Sequence, residues 1–145
     1  MKFKTTTVLK KYKNDKLIEV CVVEGNLIVN SGWQFILSRM ISNGNDPLDN
    51  TNALLGVGNG TTPEDPQQVD LQGSSKYFKR MDTGYPMIQG NTIRFRAVFD
   101  DSEANFTWNE WGIKHQSGTL INRKVQSLGE KMGGVWVLEI SIGQG

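Results

Sequence analysis

Residues 91–99 carry the plainest hydrophobic pattern in the chain, with Ile93, Phe95, Ala97 and Phe99 alternating with Thr92, Arg94, Arg96 and Val98. A period of two sends successive side chains to opposite faces of a pleated strand, so the pattern predicts a strand whose Phe95 side lies in a core. Residues 16–23, rich in Ile and Val, read as a second strand. Asn14-Asp15 supplies the turn that joins it, as a hairpin, to residues 2–13, where Thr, Lys and apolar residues mix. After the turn Glu24-Gly25-Asn26 a short strand is expected at 27–29. A buried, glycine-punctuated strand is expected at 53–58, and further strands over 76–81, 106–114, 119–125 and 135–142. One segment changes period. Trp33, Ile36, Leu37, Met40 and Ile41 recur three and four apart, which predicts a helix over about 32–42 with that face apolar, capped by Asn30-Ser31 and stopped by Asn43-Gly44-Asn45. Many short strands, turn signals between them and a single short helix make the expected fold mainly β: an antiparallel β-sandwich or barrel-like sheet pair.

Composition narrows what such a fold can be for. The chain has 145 residues, enough for one domain spanning 1–145, with residues 1–13 either an extended arm or an edge strand. Sixteen Lys and Arg against 15 Asp and Glu leave a formal charge of +1, so no global field draws the chain to nucleic acid. The local excess is basic: Lys2, Lys4, Lys10, Lys11, Lys13 and Lys16 read as a solvated strand face or an electrostatic docking surface. Cys21 is the only cysteine, which excludes an intrachain disulfide, and its apolar setting predicts a buried, inert thiol. No run approaches the roughly 18 apolar residues of a membrane span, and Lys10, Lys11 and Lys13 fall where a signal peptide would be apolar. The expectation is a protein made and kept soluble in the cytoplasm, with no membrane or nucleic-acid partner.

Candidate chemistry is sparse. The segment Gly56-Val57-Gly58-Asn59-Gly60-Thr61-Thr62 is glycine-rich but lacks the Lys-Ser/Thr pair of a phosphate loop, so a tight turn is expected. Asp46 and Asp49, within 43–52, offer oxygen ligands without the order of a calcium loop. His115, the only histidine, sits at a strand end beside a turn, where a solvated ring is expected. Asp100, Asp101 and Glu103 lie in a polar connection and read as surface charge. No nucleophile, base and oxyanion site assemble from these residues, and the expectation is a protein that is not an enzyme and carries no metal or cofactor. Trp108-Asn109-Glu110-Trp111-Gly112-Ile113 stands apart. Strand alternation puts Trp108 and Glu110 on one face and Trp111 and Ile113 on the other, so one indole is expected in the core while the other is free to meet a neighbour. A buried Glu110 would need backbone N–H donors from an adjacent loop or a cation such as Arg123, which makes Trp108, Glu110, Trp111 and Arg123 a bracing set.

The order of these segments carries a resemblance. Leu54-Leu55-Gly56-Val57-Gly58-Asn59-Gly60-Thr61-Thr62-Pro63, a strand ending in Phe99, Asn105 to Ile113 with its Trp108-Asn109-Glu110-Trp111-Gly112 centre, Gly118-Thr119-Leu120-Ile121-Asn122-Arg123, and the strand over 135–142 follow one another. Over roughly residues 53–142 this resembles a family of small tailed-bacteriophage virion proteins. The resemblance implies a virion component without catalytic activity, placed on the head shell or in the tail tip and fibres. A fibre subunit is expected to add a long repetitive shaft, and a stand-alone globular chain suits a capsid decoration (cement) protein on the head surface. Such a protein would bind the major capsid protein and copies of itself, as a homotrimer at a local threefold position. On that reading Lys2, Lys4, Lys10, Lys11 and Lys13 mark an N-terminal segment pairing with a partner by strand addition, and Pro63 and Pro66 mark a docking loop over 59–73. The alternative is a tail, baseplate or fibre module whose exposed aromatics, among them Tyr77, Tyr85 and Trp108, face a carbohydrate receptor.

Overall fold

The computed structural model describes residues 3–44 and 46–144. In chain order the elements are β1 (Phe3–Lys13), β2 (Lys16–Glu24), β3 (Leu27–Ile28), α1 (Asn30–Met40), β4 (Ala53–Gly58), β5 (Lys76–Arg80), β6 (Met87–Gln89), β7 (Thr92–Phe99), β8 (Thr107–His115), β9 (Asn122–Glu130) and β10 (Val135–Gln144). The strands form two five-stranded sheets, ordered β2-β1-β10-β7-β6 and β3-β9-β8-β4-β5. Every pairing is antiparallel. The chain is thus a two-sheet β-sandwich with one short helix.

Alternation builds the facing layers. Leu9 of β1, Leu138 and Ile140 of β10, and Phe95, Ala97 and Phe99 of β7 are buried on one inner face, opposed by Leu55 and Val57 of β4 and by Trp108, Trp111 and Ile113 of β8. The Trp108 ring meets Phe99 edge-on at 4.9 Å and Trp136 at 4.8 Å, tying the two sheets together at one end. Fully burying a large apolar side chain contributes roughly 1.5–3 kcal/mol, so these rings are principal anchors of the sandwich. The hairpin at Asn14-Asp15 forms as expected; both residues have positive φ, 51° and 62°, which suits a tight two-residue turn between twisted strands.

Several expectations are corrected. Residues 3–13 are neither a projecting arm nor an edge: β1 is hydrogen-bonded to β2 on one side and to β10 on the other. The helix starts two residues early, after Val29, and Ser31 does not cap it but donates through its hydroxyl to the Leu120 carbonyl at 2.7 Å. Its buried face is Gly32 and Phe35, whereas Trp33, Leu37 and Met40 are exposed. Gly32 decides this, because a Cβ there would collide with the Ile121 carbonyl, and so close an approach fixes which side of α1 faces the sheet. Of the stop signal Asn43-Gly44-Asn45, Asn45 lies outside the described residues; Gly44 has a φ of 111° and Asn43 N–H returns to the Ser38 carbonyl at 2.8 Å.

Candidate functional site

The two outer faces of the sandwich are finished differently. On the second sheet, β8 and β9 lose register between Trp108 and Glu110. That irregularity breaks strict alternation, so both indoles enter the core and Glu110 is turned outward. Outward here does not mean exposed, because the loop over 59–75 lies across Glu110 and buries it completely. Its Oε2 accepts the backbone N–H groups of Gly60 and Gly73, each at 2.7 Å, and its Oε1 accepts the Gln72 N–H at 2.7 Å and Arg123 Nε at 2.9 Å. Arg123, also fully buried, donates through Nη1 to the Thr62 carbonyl at 2.9 Å and to Gln68 Oε1 at 3.0 Å. A buried carboxylate is tolerable only when its oxygens are met by donors and its charge by a cation, and here both conditions hold.

The glycine-rich segment therefore does hold an anion, namely the chain's own carboxylate. A Cβ at Gly58, Gly60 or Gly73 would run into the Glu110 carboxyl group. Further contacts stretch the loop flat: Asn59 Oδ1 accepts Ser75 N–H at 3.0 Å, Glu64 Oε1 accepts Val125 N–H at 3.1 Å, and the Pro66 carbonyl accepts Asn30 N–H at 2.8 Å. Asp70 reaches Lys114 at 3.0 Å and Lys76 at 3.3 Å. Burial pushes the Asp70 carboxyl up, but those two cations and the Leu71 N–H together hold it below its ordinary value.

The first sheet is finished on its inner side only. Val8, Val137 and Val98 lie half-buried on its outer face beside Ile18, Val20 and Val22 of β2, which are 60%, 47% and 60% exposed. Strand β2 ends the sheet, so its far edge carries no partner strand among the described residues. A second apolar area, a groove of about 520 Å³ lined by Phe3, Ile36, Ile93, Phe95 and Ile142, opens beside α1. Phe3 and Trp33 stack there at 5.5 Å.

No protein-family model matches the chain, and no curated protein or solved structure matches it.

The structure brings Trp108, Glu110, Trp111 and Arg123 together as a brace, with Trp108 Nε1 donating to the Ala104 carbonyl at 2.9 Å and Trp111 Nε1 to Thr7 Oγ1 at 3.0 Å. It disperses the lysines. Lys2 lies outside the described residues. Lys4, Lys10 and Lys13 are exposed, whereas Lys11 points inward, pairs with Glu19 at 2.6 Å and sits 4.4 Å above the Trp136 ring. Pro63 and Pro66 are exposed on a loop that is tied down throughout. The aromatics named for a carbohydrate are not exposed: Trp108 is fully buried, Tyr77 donates its hydroxyl to Glu103 at 2.7 Å, and half-buried Tyr85 lies under Arg96.

The remaining polar groups fasten loops. Glu103 is not free surface charge; it accepts from Lys79 at 2.7 Å and from the Asp100 N–H at 2.7 Å, and these bonds with that of Tyr77 pull its carboxyl down to about 2. Lys131, fully buried, donates to the Asp100 carbonyl at 2.7 Å and to Asn105 Oδ1 at 3.1 Å, and burial lowers its pKa. His115 is buried rather than solvated, with Nδ1 accepting the Ser117 N–H at 3.0 Å and its ring against Phe35. Asp49 accepts from Asn52 N–H at 3.0 Å in a local turn. Cys21 is half-buried against the core, and burial raises its thiol pKa above the ordinary 9.0, so it stays a protonated, weakly reactive thiol. Among the described residues no three His, Cys, Asp or Glu side chains are grouped to hold a metal ion, and no helix is long and apolar enough to cross a membrane.

Proposed function

We propose that this chain is a structural protein of a tailed-phage virion, acting as a capsid decoration protein that binds the outer surface of the head shell and braces it. The observation that carries this reading is the unequal finish of the sandwich. One outer face is sealed by its own loop through Glu110 and Arg123, while the other presents Ile18, Val20 and Val22 to solvent on an unpaired edge strand. Uncovered apolar side chains beside unpaired backbone groups are features of a surface that gains by meeting protein. Titratable groups in two separate networks, Glu110 with Arg123 under the loop over 59–75 and Glu103 and Lys131 around residues 100–105, are engaged in fastening loops, a use suited to holding shape under load. The motif order over residues 53–142 adds the virion context. Partners on this reading are the major capsid protein and sister copies, with each modest contact multiplied by the array.

The test is gold labelling of a tagged copy on intact virions, read by electron microscopy. Label distributed over the head is the expected result. Label confined to the tail would transfer the reading to a baseplate or fibre module, and virions without label would end both. Because β1 is an interior strand, loss of residues 1–13 would unfold the first sheet, so point variants on the outer face are the proper companions to this experiment.

A further inference from the structure

The apolar area beside α1 is larger than its groove alone. Trp33, Leu37 and Met40 form a ridge along the exposed side of α1, and Ile41 extends it just past the helix end. Next to the ridge lies the groove of about 520 Å³, which Ile36 of the same helix shares with Ile93 and Ile142. Phe3 joins the two, lining the groove while it stacks on Trp33 at 5.5 Å. Ile88 of β6, opposite Ile93 in register, carries the surface to the edge of the first sheet. The ridge residues with Phe3, Ile88 and Ile93 are each between 36% and 78% exposed. Together they leave the equivalent of about four whole side chains in water, on the order of 800 Å² at roughly 200 Å² for each large side chain. That exceeds the roughly 300–600 Å² of the largest apolar patch on an ordinary monomer, and it equals the roughly 800 Å² that each partner gives to a stable interface.

We infer that this surface is covered by the same surface of a second copy, related by a two-fold axis, with the α1 ridge of each chain lying in the groove of the other. Area, charge and shape together select that occupant. The area is that of a whole protein interface. A two-fold axis sets a patch against itself, so each charge on it meets its like; here the groove lining has no charged residue, and the only one in α1 is Arg39. The same neutrality offers nothing to the phosphates of a nucleic acid or to the anionic headgroups of a membrane. Ridge and groove are neighbours on one surface, so an operation that seats one ridge seats both. A foreign partner would need a groove and a ridge of its own, whereas a second copy has them already. No residue of β2 takes part, so the contact stands apart from the face proposed for the shell and does not depend on the virion assignment.

Tryptophan emission reads this contact directly. Of the four tryptophans, Trp108, Trp111 and Trp136 are at most 5% exposed, so iodide in solution reaches only Trp33. The experiment follows iodide quenching of the full chain, with reductant present, beside its sedimentation from dilute to concentrated protein. An interface of this size is expected to form at about micromolar concentration or below, with the mass doubling and the quenching of Trp33 falling in step. Leu37→Glu and Met40→Glu, both at exposed sites, set like charges against each other across the axis and should weaken association about 30-fold or more, leaving Trp33 open to iodide. Met132→Glu is the same kind of change at an exposed site in the β9–β10 turn, at the opposite end of β10 from Ile142, and should dimerise like the parent. Circular dichroism of each variant verifies folding. A chain that stays monomeric, a dimer whose Trp33 is quenched as in the monomer, or a dimer that Leu37→Glu leaves intact would overturn the inference. Shielding of Trp33 by phosphatidylcholine vesicles in a chain that remains monomeric would overturn it as well, with a bilayer as the occupant.

Discussion

The two sheets of the sandwich solve the same problem by different means. Each buries one face against the other, but the second sheet also covers its outer face, spending the loop over 59–75, three glycines and a fully buried Glu110–Arg123 pair to do so. The first sheet leaves Ile18, Val20 and Val22 bare and ends in an edge strand. A polar cluster in which both carboxylate oxygens of Glu110 and the Nε and Nη1 of Arg123 are used within the fold, only Nη2 staying without a partner, has little left to offer a second protein, whereas an apolar strand with unpaired backbone groups gains free energy from one. Binding chemistry in this molecule is thus sought where the fold is unfinished, not where its charges are densest.

The largest effect should come from breaking the sealed side. Glu110→Ala removes the acceptor for three backbone N–H groups and strands Arg123 as an unpaired buried cation, and is expected to cost about 3–5 kcal/mol of folding stability in urea titrations. Combining it with Arg123→Met should cost less than the sum of the single changes, since the stranded charge is then gone. A loss under about 1 kcal/mol for Glu110→Ala would mean the loop is held by something else.

A smaller loss, about 1–3 kcal/mol, is expected for Gly60→Ala, whose Cβ would displace the Glu110 carboxyl or the Gly73 backbone. Limited proteolysis within residues 61–72 should accelerate in the same variant, and an unchanged digestion pattern would separate the glycine from the clamp.

Acid should act next, through Glu103. Its folded pKa, about 2, lies below the ordinary 4.5, so the unfolded chain takes up the proton first. Its contribution is whole above about pH 4.5 and disappears as the pH falls toward 2. The urea midpoint of the parent protein should drop across that window more steeply than that of Glu103→Gln; parallel slopes would remove Glu103 from the account.

The smallest effect on folding should come from the open side. Val22→Lys, at an exposed site, should change stability by no more than about 0.5 kcal/mol. Its binding to shells, measured by sedimentation, should nevertheless fall, a separation of folding from docking that no change at Glu110 can give.

Much of this contrast was written in local pattern. Alternation in 92–99, the Asn14-Asp15 hairpin and the strand at 53–58 needed only neighbouring residues, and so did the inference that a carboxylate between two tryptophans must be braced by Arg123 or by a nearby loop. What stayed hidden was set by contacts distant in sequence. The face of α1 was decided by Gly32 against Ile121, not by the helix's own apolar stripe. The placement of both indoles in the core depended on a register irregularity with β9. The row of lysines looked like one surface, but β1 lies inside its sheet, and alternation sends Lys10 out and Lys11 in. Gly60 and Gly73 declared turns in the sequence; that they cradle Glu110 could be found only by asking which donors a buried carboxylate would need.

Amide hydrogen exchange, comparing dilute free protein with protein assembled on shells, tests the contrast most directly. The Gly60, Gln72 and Gly73 amides, bound to Glu110, should exchange slowly in both states, while the Val20 and Val22 amides should exchange fast when free and slowly when assembled. Protection gained by the loop over 59–75 with β2 unchanged would contradict the account, because it would place the docking surface on the side that the fold has already closed.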